Sequence, residues 1–401
     1  MPFDVTAVRN HFPALSAGAA HFDGPGGSQT PDVVADAIRS TLLSPLANRG
    51  TRTFAERNAD DAVHEMRSAM ADLLNTAPSG VVFGRSMTDL TFDFARTLAK
   101  TWRPGDEVVV SRLDHDANVR PWVIAAEAVG ATVRWIDFEP STAELRTEDV
   151  AAQLSDRTRL VALTGASNLL GTRPDIAAAA QLVHDVHALL YVDGVHLTAH
   201  AAVDMGALGA DFFACSPYKF FGPHCGIVAA QPELLERLSP DKLAPSTEQV
   251  PERFELGTLP YEQMAGTTAA VDFIAGLDGR SSGPSRRERI LASMAAVERH
   301  EDALREQIER ALTALPGVTV HSRAARRTPT LLVTFAERDA DEAYAFLAEQ
   351  GVNAPAGSFY AYEPARRLGL GSAGGLRIGL APYTDQSDVD RLLEGLAKFL
   401  S

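Results

Sequence analysis

Cysteine is almost absent: the 401 residues contain two, Cys215 and Cys225. Two thiols build neither a disulfide framework nor a complete zinc site, and they fit a reducing, cytoplasmic compartment. No apolar run approaches the ~18–20 residues of a membrane span. The opening MPFDVTAVRNHFPAL has no basic segment followed by an apolar one, so no signal peptide is expected. Positive charge is short as well. Lys and Arg number 37 against 52 Asp and Glu, a net charge of −15, which argues against nucleic acid or an anionic membrane surface as partner. No internal repeat is found. What is present is ordinary for a globular enzyme-sized chain: 45% hydrophobic and 22% charged residues, with length for about two or three domains.

Short apolar strands alternate with helical patterns. Thr30-Pro31 predicts a helix start with a possible cap, and 58–75 continues helical. Strands are expected at 81–83, 107–110, 132–136, 160–163, 189–192, 211–215 and 226–230. Helices are expected at 88–99, 119–129 and 174–188. Continuous apolar strands between helices predict an α/β fold with a mainly parallel sheet covered on both faces. The stretch LDGRSSGPSRRER, 277–289, reads as a linker. Beyond it come a long charged helix (285–314), strands at 318–321, 329–335 and 376–380, and helices at 339–350 and 385–399. That predicts a large domain over 18–277 and a smaller α+β domain over 278–401, joined by 1–17.

One lysine stands out. In ACSPYKFFGPHCG, 214–226, Lys219 follows an apolar strand and is fenced by Ser216, Pro217 and Tyr218. A lysine at the end of a buried strand can serve as a nucleophile; the alternative is a side chain snorkelling to solvent. Asp193 closes the apolar strand of YVDGVH, and open α/β sheets bind ligands beyond the carboxyl ends of their strands. A lysine to hold an aldehyde and a carboxylate to keep a pyridine nitrogen protonated are what pyridoxal phosphate needs; Asp193 could instead cap a turn. In VVFGRSMTDL a strand, a glycine and hydroxyl residues precede a helix. Backbone N–H groups at Ser86, Met87 and Thr88 would face an anion there, unless Ser86 or Thr88 simply caps the helix.

HFDGPGGSQTP (21–31), VVFGRSMTDLTF (81–92), RLDHDANVRPW (112–122), ALTGASNLLGT (162–172), YVDGVH (191–196), ADFFACSPYKFFGPHCG (210–226), FELGT (254–258) and LRIGLAPYTDQSDVDRLL (376–393) occur in order from near residue 20 to the end. In this set the chain resembles the class V aminotransferase and cysteine desulfurase family, of pyridoxal-phosphate fold type I. The resemblance implies a seven-stranded-type sheet and assigns roles by position. Lys219 would hold pyridoxal 5'-phosphate covalently and later move the Cα proton of an amino-acid substrate. Asp193 would pair with the ring nitrogen, His115 would stack on the ring, and His196 would bond the phenolic oxygen. Ser86, Met87, Thr88, Ser216 and Tyr218 would hold the phosphate. Asn168 and Arg377 would grip the substrate carboxylate, Arg377 through its planar fork. Thr258 would reach the phosphate of a second subunit, implying a homodimer with shared sites.

Two departures matter. His196 stands where desulfurases usually carry Gln, and Tyr218 replaces a common His. More important, the loop that carries the desulfurases' mobile thiol is here GVNAPAGSFYAYEPARRLGLGSAGG, 351–375, with no cysteine. Tyr360 falls near the thiol's place, and Ala354, Pro355 and Ala356 stand where polar substrate-reading groups are common. Cys215 is expected as inert strand packing, while Cys225, one turn on, is open to two placements, packed in the turn or facing the site. The expectation is therefore a desulfurase-like C–S or C–Se lyase without a covalent thiol relay. The alternatives are an aminotransferase and a non-catalytic relative of the same fold. His196 and His200 also have the spacing of a helical metal pair, but lack the glutamate of a zinc-protease motif and a third histidine.

Overall fold

The computed structural model describes residues 3–279 and 285–401. Residues 280–284, the middle of the expected linker, lie outside the described residues. The main sheet has seven strands: β1 Val81–Gly84, β2 Glu107–Ser111, β3 Thr132–Ile136, β4 Thr158–Thr164, β5 Leu189–Asp193, β6 Phe212–Cys215 and β7 Gly226–Ala230. Their spatial order is β1-β7-β6-β5-β4-β2-β3. Strand β7 is antiparallel to both neighbours, and the remaining pairs are parallel.

The continuous apolar runs have a simple cause. Side chains alternate faces along a strand, and here both faces are covered. One face takes Phe83, Val109, Val161, Val192 and Phe213 against helices α2 Phe54–Leu74 and α4 Tyr261–Gly276, through Met66, Met70 and Met264. The other takes Val82, Val108, Leu160, Tyr191 and Phe212 against α3 Met87–Ala99 and Trp122, through Leu90 and Phe94. Each such large side chain withdrawn from water contributes about 1.5–3 kcal/mol. The helix expected to open at Thr30-Pro31 is α1 Asp32–Leu42; Pro31 is its cap residue and makes no side-chain capping bond. The ring leaves no N–H to satisfy, and Asp32 Oδ1 accepts the Val33 N–H at 2.7 Å instead.

A second sheet holds β8 Val318–Val320, β9 Thr330–Phe335, β10 Ala356–Gly357 and β11 Gly375–Gly379, in the order β10-β11-β9-β8. The 29-residue α5 Arg286–Ala314, opened by a Ser285/Glu288 capping box, and α6 Gln386–Leu400 pack beside it. The N-terminal segment crosses to this part of the chain: Ala20–His21 pairs in parallel with Val352–Asn353, and Arg9 Nη1 donates to Asp388 at 2.6 Å. Strand β11 carries Arg377 to the cavity that the carboxyl ends of β4 and β5 also line.

Candidate active site

A cavity of about 350 Å³ opens over the carboxyl ends of the main sheet. Asp193 ends β5, Thr164 ends β4, Ser216 follows β6, and all three line it. The N-terminus of α3 forms one wall. Ser86 caps that helix, its Oγ accepting the Asp89 N–H at 3.0 Å. The preceding N–H groups, of Met87 and Thr88, have no partner within the helix and lie at the cavity. The helix comes this close because residue 226 is glycine: a Cβ there would meet Ser86 C at 2.1 Å and Met87 N at 2.2 Å.

Lys219 projects from a short turn, Pro217–Lys219. Its Nζ donates to the carbonyls of Pro25 and of Gly26, the latter at 3.0 Å, and lies 4.8 Å from the centre of the Tyr218 ring. Burial, with Arg377 nearby, pulls its pKa down to about 8 against the opposing pull of Asp23 and Asp193. Burial pushes Asp193 up to about 6; its Oδ1 accepts the Val195 N–H at 2.9 Å. Beneath it, Asp114 is fully buried and its pKa is raised to about 8, again by burial first. Asp114 accepts from Asn118 at 2.7 Å and contacts Ser111, while Asn118 accepts from the Trp122 indole at 3.0 Å. This chain fixes the turn that presents His115. The His115 Nδ1 accepts the Ala117 N–H at 3.0 Å, and burial lowers its pKa to about 4, so the ring is neutral.

The opposite wall carries Arg377 on β11. Its Nη2 pairs with Asp23 at 2.5 Å, its Nη1 donates to the Asn168 carbonyl at 3.3 Å, and its guanidinium lies 3.6 Å from the centre of the Phe359 ring. Asn168 Nδ2 donates to the Phe359 carbonyl at 3.0 Å. Asn168 Oδ1, Arg377 Nε and His196 Nδ1 are buried without a partner among the described residues. Such groups carry a free-energy penalty unless a ligand or water pairs with them.

The structure thus brings Ser86, Met87, Thr88, His115, Asn168, Asp193, His196, Ser216, Tyr218, Lys219 and Arg377 to one cavity. Thr258 is not among them; it is exposed and lines a separate cleft with Arg85 and His224. Neither cysteine faces the site. Cys215 is wholly buried in β6, and Cys225 is buried with its Sγ 3.5 Å from Thr267 Oγ1, its pKa raised to about 12 by burial. His196 and His200 are not a helical metal pair: their rings meet edge-on at 4.8 Å across a single turn. His196 Nε2 bonds the hydroxyls of Thr328 and Thr330, both at 2.9 Å, while His200 bonds Glu301 at 2.9 Å. Among the described residues, no cluster of three potential ligands is arranged to hold a metal. Sequence reasoning missed Asp23, the Pro25 and Gly26 carbonyls, and Phe359. Only the Asp-Gly-Pro-Gly-Gly run hinted at the first three; nothing local marked Phe359.

The features of this cavity fit pyridoxal phosphate group by group: an anion wall, an aldehyde-reactive amine, a carboxylate for a cationic nitrogen, and an unpartnered imidazole nitrogen. Fold and site define a pyridoxal-phosphate enzyme of fold type I. The Aminotransferase class-V family matches residues 20–392, and the chain belongs to it. It is 33% identical over 400 residues to the uncharacterized protein MT3887 of Mycobacterium tuberculosis, covering 99% of both chains. It is 30% identical to a cysteine desulfurase of Dickeya dadantii, covering 98% of this chain and 96% of that one. Among solved structures, the cysteine desulfurase CsdA of Escherichia coli superposes with a TM-score of 0.86 at 27% identity, covering 99% of this chain and 98% of that one. The chain is a cysteine desulfurase-like, pyridoxal 5'-phosphate-dependent lyase or transferase.

Proposed function

We propose that this enzyme cleaves a carbon–sulfur (or carbon–selenium) bond in an amino acid without passing sulfur to a cysteine of its own. The observation that carries the reading is a cavity that gathers Lys219, Asp193, Asn168 and Arg377 and from which both of the chain's thiols are turned away. In this reading residues 18–277 carry the cofactor and 278–401, with 1–17, complete the substrate side.

Lys219 would hold the cofactor covalently and Asp193 would face its ring nitrogen. His115 would lie against the ring, and His196 would offer Nδ1 to the phenolic oxygen. Ser86, Met87, Thr88, Ser216 and Tyr218 would hold the phosphate. When bound, pyridoxal phosphate supplies an electron sink for charge developing at a substrate Cα. The chain does the rest. Arg377 and Asn168 grip the carboxylate and fix which bond at Cα is aligned. Lys219, with a pKa of about 8, is poised to take a proton near neutral pH. Neutral His115 excludes water from one face. We place the enzyme in the cytoplasm as a homodimer, with Thr258 reaching the neighbouring subunit's phosphate; its exposure and its distance from its own chain's cavity support that reading.

Holoenzyme incubated with β-sulfur amino acids should release pyruvate for many turnovers without added thiol. The second reading, an aminotransferase, rests on the same lysine and predicts stoichiometric keto acid with pyridoxamine phosphate from common amino acids. No turnover on any substrate, with the cofactor bound, would leave a non-catalytic relative.

A further inference from the structure

The loop in which the desulfurases' thiol is expected holds three aromatic residues, of which Phe359 and Tyr360 line the cavity, and the structure pins both. The Phe359 carbonyl accepts from Asn168 at 3.0 Å. The Tyr360 carbonyl accepts the Asp116 N–H at 2.8 Å. The Phe359 ring carries the Arg377 guanidinium, and the Tyr360 ring lies 5.7 Å from that of His115. Phe359 and Tyr360 both have left-handed backbones, φ 53° and 57°. For bulky residues this is strained, by about 1–2 kcal/mol each, and such strain persists only where the surroundings over-determine it. The segment is a fixed rim, not a swinging arm. It is also apolar where it meets the cavity, and Ala117 continues the same surface. The charged groups at this rim are paired with one another: Asp23 with Arg377, and Asp116 with Arg120. Yet among the described residues the one ring beside that of Tyr360 is His115, and its side chain stays 78% exposed.

We propose that the substrate is a cysteine S-conjugate whose sulfur carries an apolar alkyl or aryl group, and that this group packs on the Phe359–Tyr360 rim. The inference rests on the lyase reading above. It also accounts for the missing thiol. A desulfurase must hand sulfur to a nucleophile, whereas an S-conjugate needs no acceptor. The Cα proton goes to Lys219. The Cβ–S bond breaks with its electron pair on sulfur, which takes up a proton and leaves as a free thiol. The three-carbon remainder takes up water and ends as pyruvate and ammonium. The net reaction, conjugate plus water to thiol, pyruvate and ammonium, needs no oxidant or reductant.

The test compares S-benzylcysteine, S-methylcysteine and cysteine as substrates of the holoenzyme, and measures binding of 3-phenylpropanoate against propanoate by calorimetry. Burial of a phenyl group predicts kcat/KM at least about tenfold higher for S-benzylcysteine than for cysteine, and a similar ratio between the two inert acids. Tyr360→Ala should cut both ratios to about threefold or less, and Tyr360→Phe should keep them. Cysteine turned over as well as the conjugates would overturn the substrate class while leaving the lyase reading intact. Pyruvate from none of them would overturn it by removing the lyase reading, whatever the calorimetry shows. Ratios unmoved by Tyr360→Ala would remove the rim.

Discussion

The floor of the cavity is made of strand ends, and its rim of two loops, 23–27 and 357–361. The floor residues inherit their positions from the sheet: Asp193 lies where β5 stops because the four apolar residues before it pair in register with β4, and Tyr191 and Val192 with β6 as well. The rim takes little from a ladder: Asp23 makes one isolated bridge to Gly379 and Gly357 pairs with Gly375, while Phe359 and Tyr360 lie outside any strand. Asp23, Phe359 and Tyr360 are held by Arg377, Asn168 and Asp116. A sheet-built floor suits a cofactor that is always the same, and a loop-built rim suits a substrate that differs between relatives. The floor should therefore answer to mutation with loss of chemistry or of cofactor, and the rim with shifts in which substrate is taken.

The largest effect belongs to the floor. Lys219→Ala should lower kcat by roughly 10²–10⁴-fold, and borohydride reduction of the wild-type holoenzyme should fix the cofactor on Lys219 alone. Labelling of any other lysine would break the assignment of floor to chemistry. The next test is electrostatic. A protonated amine cannot attack an aldehyde, so covalent capture of pyridoxal phosphate by the apoenzyme should require neutral Lys219. With a folded-state pKa of about 8, lowered from the usual lysine range by burial, the capture rate should rise about tenfold per pH unit below that point and level off above it. Stopped-flow absorbance reads this directly. A rate still climbing through pH 9 would mean the pocket does not depress the amine.

Gly226→Ala probes the floor without touching a chemical group. Its Cβ would collide with the backbone at Ser86 and Met87, and backbone cannot swing aside as a side-chain tip can. The N-terminus of α3 must retreat, so the cofactor should bind about tenfold more weakly or worse. Equilibrium dialysis of pyridoxal phosphate checks this, with pyridoxal as control: the loss should be confined to the phosphorylated form.

The same division explains what the sequence could tell. Strands such as Leu189–Asp193 announce themselves as short apolar runs, so the sheet was legible from local pattern, whereas Lys219 alone reads equally as a strand-end lysine reaching solvent, and most of the floor was legible only through the ordered set of motifs that carries the family resemblance. The hydrogen bonding of the His196 imidazole was not legible, because the Thr328 and Thr330 hydroxyls that hold its Nε2 lie more than a hundred residues away in the sequence. Phe359 was invisible for a sharper reason. Its left-handed backbone is unfavourable locally, so no propensity argument places it; only the tertiary ties from Asn168 and Arg377 do. The placement of Cys225 facing the site failed on a packing fact: its side chain turns toward Thr267 on α4 rather than toward Lys219.

The smallest expected effect sharpens the rim. Asp23 occupies Nη2 of Arg377, one of the donors a substrate carboxylate would use. Asp23→Asn keeps the shape and an acceptor but removes the competing charge. Two consequences oppose each other. The buried guanidinium, only 2% exposed, loses its counter-charge, which should cost about 1–3 kcal/mol of stability. The substrate carboxylate no longer has a resident anion beside it, which should lower KM by about two- to fivefold, since one carboxylate of the pair is a third exposed and partly screened. Calorimetry should therefore show a lower melting temperature in the variant, while steady-state kinetics show tighter substrate binding with little change in kcat. A KM that rises instead would mean that Asp23 orients Arg377 for the substrate, and the rim would then be as strictly built as the floor.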